Sequence, residues 1–125
     1  MRSYVAALND QEPGSPCATA VRDGKLTVVA GQSNTASGIE AQVDDIVTRL
    51  ATILGSARAQ LADLVKLGVF YRPDCGLDEG GLRTLLAKAL SPPQAIAISF
   101  VALRSLADPR ALIEIEATAY IAPRT

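Results

Sequence analysis

The chain contains no histidine, and that absence limits its chemistry more than any motif it carries. Without His it cannot build a Ser-His-Asp triad, a Cys-His pair or the usual His-rich metal site from its own residues. Acid–base work falls to Asp, Glu, Lys, Tyr, Cys or water. Tryptophan is missing as well. Cysteine is scarce: Cys17 and Cys75 stand far apart and in no CxxC arrangement, so both are expected as reduced thiols rather than zinc ligands or a disulfide. Net charge is almost absent, at −1 with a pI near 5.3. Lys and Arg are scattered along the chain, which leaves no electrostatic footprint for a phosphate backbone and argues against nucleic acid as a partner. Long apolar runs are also lacking. The stretch from Met1 to Asp10 is too short for a secretory h-region, and no later run approaches the roughly 20 apolar residues of a membrane span. A cytoplasmic location without membrane contact is the expectation.

What is present is a well-filled single domain. The chain has 125 residues, 49% of them hydrophobic and 20% charged, and a mean hydropathy of +0.23. One domain spanning 1–125 fits that length, with either a full core or apolar surface hidden by self-association. Ser3 to Ala7 is a candidate edge strand. The runs Ala18 to Val21 and Lys25 to Ala30 flank Arg22-Asp23-Gly24, a hairpin signal. From Gly38 the period changes: Ile39, Val43, Ile46, Val47, Leu50, Ile53 and Leu54 recur at helical spacing up to Gly55. Leu61-Ala62-Asp63 is a short turn, and Leu64 to Arg72 is a strand stopped by Pro73. A second helix starts with Asp78 as cap, directs Leu82, Leu85, Leu86 and Leu90 inward, and ends at Pro92-Pro93.

Two long strands follow, joined by turn residues Asp108-Pro109. The first, Ala95 to Leu103, is apolar on both faces. The second, Leu112 to Ala119, alternates: Ile113, Ile115, Ala117 and Ala119 on one face, Glu114 and Glu116 on the other. The order β-β-β-α-β-α-β-β describes an α+β two-layer sandwich, a sheet with helices on one face. Because the strand before it is doubly apolar, the sheet side bearing the two glutamates needs a cover that so short a chain lacks. Self-association, with a carboxylate near a subunit boundary, is therefore expected.

Several blocks, in order and at their separations, carry a family likeness. They are Ser15-Pro16-Cys17, Ala30-Gly31-Gln32, the helix from Ile39, Asp63 to Phe70 (DLVKLGVF), Pro92-Pro93-Gln94 and the terminal IEIEATA. Together they resemble the Rid family of reactive intermediate deaminases, also called YjgF or RidA proteins. The resemblance implies a chorismate-mutase-like fold of the bacillus type, built as a homotrimer whose sheets line an inner barrel with helices outside. It also implies small-molecule ligands between subunits, and cofactor-free hydrolysis of enamines or imines. Such a site need only hold the iminium carbon, seat a water beside it with a carboxylate, and bind the substrate.

Carried over by that resemblance, Glu114 is the water-holding catalytic carboxylate and Gly31 helps orient the substrate. Cys17, Ala30 and Gln94 replace the family's tyrosine, serine and arginine, giving a smaller and less polar pocket without the bidentate carboxylate clamp. A standard 2-imino acid is therefore not the expected substrate. Arg104 is the candidate to supply the missing charge, with Arg72 as a second. Glu116 is expected to be structural, Lys66 to share a strand face with Leu64, Gly68 and Phe70, and Cys75 to be an exposed loop residue. A ligand-binding trimer without catalysis is the alternative, and endoribonuclease activity a more remote one.

Overall fold

The computed structural model describes residues 2–5, 17–93 and 95–121. In chain order these form β1 (Arg2–Val5), β2 (Ala20–Asp23), β3 (Leu26–Gln32), α1 (Ile39–Ser56), a 3₁₀ turn (Leu61–Asp63), β4 (Leu64–Tyr71), α2 (Glu79–Leu90), β5 (Ala97–Ala102) and β6 (Ile113–Tyr120). The expected order holds. β1 begins one residue before Ser3, and Ala6 and Ala7 lie outside the described residues.

The strands make one six-stranded sheet in the order β1-β2-β3-β6-β4-β5. β2 and β3 join through a two-residue turn in which Gly24 takes φ 62, a conformation glycine adopts without the Cβ penalty. α2 carries the chain from β4 to a parallel β5 beside it. Parallel neighbours need such a crossover. β5 and β6 are consecutive in sequence but not neighbours, because β6 lies antiparallel between β3 and β4. The pleat explains this central place. Ile113, Ile115, Ala117 and Ala119 are all at most 2% exposed, so β6 presents an unbroken apolar face to the helices.

The helices supply the other half of the core. Val43, Ile46, Leu50 and Leu54 of α1 and Leu82 and Leu86 of α2 are fully buried. Each such side chain contributes about 1.5–3 kcal/mol on leaving water. Leu85 is half-buried rather than fully inward. Asp78 caps α2, its side chain accepting from the Gly81 amide at 2.8 Å.

Two expectations change. A register irregularity between Leu64 and Lys66 shifts the phase of β4, so Leu64 turns into the core at 2% exposure while Lys66, Gly68 and Phe70 share the opposite face. Cys75 is buried at 6% and packs in the core, its thiol directed at the Leu77 carbonyl at 3.3 Å. The loop after Pro73 folds inward there, which a reading of its polar neighbours does not reveal.

Both helices lie on one side, and among the described residues no element covers the far face of the sheet. Cross-strand partners share a face, and three rows run across it. Tyr4, Val21, Val28, Thr118, Lys66 and Ala97 form one, Glu116, Gly68 and Ser99 the next, and Glu114, Phe70 and Val101 the third. Large apolar side chains stand open on it: Tyr4 is 65% exposed, Val28 46% and Val101 42%.

Candidate functional site

Alternation in β6 turns Glu114 away from the core, and β3 decides where its carboxylate rests. Pairing of β3 with β6 shifts between Val29 and Gln32, bringing the Gly31 backbone beneath the side chain. A Cβ at Gly31 would lie 2.7 Å from Glu114 Oε2 and 2.9 Å from its Cδ. The carboxylate thus occupies space that only glycine leaves free. Glu116 does the same over Gly68, where a Cβ would meet Oε1 at 2.6 Å. Glu114 is half-buried beside Phe70, whereas Glu116 is exposed, near Lys66, whose ammonium donates to Ser99 Oγ at 2.6 Å.

The other residues singled out from the sequence fall into two groups. Ala30 and Gly31 are exposed at the end of β3, and the Ala30 amide donates to the Thr19 carbonyl at 2.9 Å, extending the hairpin toward Cys17, which is also exposed. Cys17, Ala30, Gly31 and Glu114 therefore belong to one end of the sheet. Arg104 is exposed two residues past the end of β5, at the same end as the row of Glu114, Phe70 and Val101, but two strand spacings, about 10 Å, to the side. Gln94 lies outside the described residues.

The strand bearing Glu114 is anchored at its entry. Gln42, 1% exposed on α1, donates to the Ala36 carbonyl at 2.9 Å and the Arg110 carbonyl at 3.0 Å, and its Oε1 accepts from the Leu112 amide at 2.8 Å. Arg72 closes the other side. Its guanidinium donates twice to Asp74, at 2.9 and 2.6 Å, and once to the Pro109 carbonyl at 2.8 Å. Those hydrogen bonds hold the Asp74 carboxyl below its ordinary value. The fork of Arg72 is consequently spent on structure. Arg110 likewise lowers Asp108 through hydrogen bonds in the same connection.

The family described as endoribonuclease L-PSP matches residues 9–121. Rv2704 of Mycobacterium tuberculosis, described as a member of the YjgF/YER057c/UK114 family, is 32% identical. The likeness spans 97% of this chain and 100% of that one, with a TM-score of 0.78. The chain belongs to the Rid (YjgF/RidA) family. More distant structures share the Rid fold: RidA from Psychrobacter sp. PAMC 21119 is 19% identical over 95% of this chain and 99% of that one, TM-score 0.74. YyfA from Yersinia pestis, described as a Rid protein, is 19% identical over 97% and 100%, TM-score 0.76. No curated protein matches the chain.

One feature of this Rid-family chain is not legible in its sequence. Where α2 overhangs the sheet edge, a cavity of about 380 Å³ is lined by Arg83, Ala87, Leu90, Pro92, Ala95, Ile96 and Ile98. The Arg83 guanidinium lies 5.1 Å from the centroid of the Phe100 ring and meets Glu79 at 3.3 Å. Glu79 and Arg83 at i, i+4 look like an ordinary surface pair. The available signal was that Arg83 adjoins the buried Leu82 on a helix leading to Pro92. Among the described residues no cluster of three metal-ligating side chains occurs, and no helix is long and apolar enough to cross a membrane.

Proposed function

We propose that the protein is a cytoplasmic, cofactor-independent hydrolase that cleaves the C–N bond of an imine or enamine in a small metabolite, and that it works as a homotrimer. The observation that carries this reading is the Glu114 carboxylate, half-buried over the Gly31 backbone and beside Phe70. A carboxylate so held acts as a general base. It takes a proton as water adds to the iminium carbon, and the resulting carbinolamine receives that proton on nitrogen. Collapse then expels ammonia as the Glu114 carboxylate takes the hydroxyl proton, leaving the carbonyl product; an enamine first gains a proton at carbon to become the imine.

The trimer is supported by the bare sheet face and its exposed Tyr4, Val28 and Val101. Burying three such faces together gives a barrel with helices outside, and it gives Glu114 a neighbouring subunit as the far wall of a cleft. In that cleft Cys17, Ala30, Gly31, Gln94 and Arg104 contact the ligand.

Glu114→Gln keeps the shape and removes the base. The expected result is loss of turnover, by about 10²-fold or more, in continuous assays that release ammonia from freshly generated imines, with the assembly intact by sedimentation. Unchanged rates would remove the mechanism. A compound that stabilises the wild type thermally and is recovered unaltered favours the non-catalytic, ligand-binding alternative.

A further inference from the structure

We propose that a second binding site, separate from Glu114, lies where the β1–β2 edge of the sheet meets the end of α1, and that it takes a dianionic phosphate group, free or as the monoester of a small metabolite. A cavity of about 400 Å³ there is lined by Ser3, Arg22, Ser56, Ala57 and Arg58. That size suits such a ligand. Arg22 pairs across the hairpin with Thr27, which is fully buried, so the cavity opens on the helix side of the sheet. Gly31 is four residues past Thr27, about 13 Å along β3, and the Glu114 carboxylate over it rests on the other face. The two sites therefore share no ligand.

Charge and geometry name the ligand. Arg2, Arg72, Arg83 and Arg110 each pair with a carboxylate. Among the described residues Arg22 and Arg58 pair with none, and no acidic side chain lines the cavity. Alternation turns Asp23 to the opposite face, where Arg2 holds it at 2.9 Å. The Arg22 guanidinium is half-buried and aimed by two carbonyls, its Nε donating to Gly24 at 2.9 Å and its Nη1 to Ala57 at 2.7 Å. These bonds fix its plane and leave its charge uncompensated. Arg58 stands where a helix end favours glycine. Its amide donates to the Gly55 carbonyl at 3.0 Å and the Ala59 amide to the Leu54 carbonyl at 2.8 Å, the paired closure that puts the residue after the cap in the left-handed region, and φ at Arg58 is 61. Glycine would take that backbone without a Cβ penalty. Helix capping accounts for Arg22 but leaves the Arg58 side chain without a structural task. Ser3 adds a hydroxyl from β1, so donors reach the cavity from two strands and a helix end. That arrangement matches the three terminal oxygens of a phosphate better than the two of a planar carboxylate.

The test is an NMR titration of the full-length protein with inorganic phosphate, glycerol 3-phosphate and dimethyl phosphate. It is run at about 0.15 M salt, which screens loose attraction between exposed charges, and about pH 8, where a phosphate monoester is dianionic. Inorganic phosphate and glycerol 3-phosphate are expected to shift the backbone amides of Ser3, Arg22, Ala57 and Arg58. Tighter binding of glycerol 3-phosphate assigns the site to monoesters, and equal or tighter binding of inorganic phosphate assigns it to the free anion. Dimethyl phosphate, with a single charge, should bind about tenfold more weakly or not at all. Arg58→Gly relieves the left-handed position, so it should melt no lower than the wild type while raising the phosphate Kd about tenfold or more. Arg58→Lys should recover part of that affinity, since it keeps the charge and loses the fork. Dimethyl phosphate binding as tightly as the dianions, shifts confined to other residues, or an unchanged Kd in Arg58→Gly would overturn the inference.

Discussion

A single methyl group separates Gly31 from a residue that pushes the Glu114 carboxylate aside. The added carbon would sit 2.7 Å from Oε2, inside any real contact distance, and the group that must yield is the side chain proposed to hold water. Gly31→Ala is therefore expected to lower turnover about tenfold or more, because displacements near 1 Å carry such costs at reacting groups. Thermal melting should change little, as the clash is with a flexible side-chain end. Gly68→Ala makes the matching control: it meets Glu116 at 2.6 Å and should leave the rate within about threefold, on the structural role assigned to that residue. Steady-state kinetics and melts on both variants decide it. Equal loss in the two would mean that neither glutamate is special. The alternation of Ile113 to Ala119 is legible as letters, and so is the family match at Gly31. The contact between them is not, since it arises from a shift in pairing between Val29 and Gln32 that no local pattern marks.

At the level of elements, α1 does more than cover the sheet. Through Gln42 it satisfies the Ala36 and Arg110 carbonyls and the Leu112 amide, clamping the connection that leads into β6 two residues before Glu114. Gln42→Leu keeps approximate volume and strands three backbone groups, so urea denaturation should show a loss of about 2–4 kcal/mol. Hydrogen exchange at Leu112 and Ile113 should quicken in the same variant. A loss under about 0.5 kcal/mol would show that water replaces the amide. Ile39, Val43, Ile46 and Leu50 announce the helix through their spacing. Gln42 falls on the same stripe, but its partners come from remote loops, and only the folded chain brings them together. Cys75 follows the same rule: its burial comes from the loop after Pro73 folding into the core, not from its neighbours Asp74 and Gly76.

For the whole molecule, the bare sheet face sets the terms. Tyr4, Val28 and Val101 are exposed across it beside Glu114, Glu116 and Lys66. Sedimentation equilibrium is expected to return about three times the 13.1 kDa chain mass. Val101→Glu places a second carboxylate in the row of Glu114 and Phe70. Like charges brought into a buried face repel, so this variant should sediment as single chains while circular dichroism stays native. A wild type that sediments as one chain would leave the face unexplained and the cleft unformed. The two helices and the strand count were visible in the sequence, but the place of β6 was not, since long-range pairing leaves no local mark. That central position has a consequence during synthesis. Until Ile113 to Tyr120 have left the ribosome, β1-β2-β3 and β4-β5 are separate ladders, each with an unpaired inner edge. Folding of the sheet must wait for them, and a nascent chain stalled before Ile113 is a natural client for a chaperone.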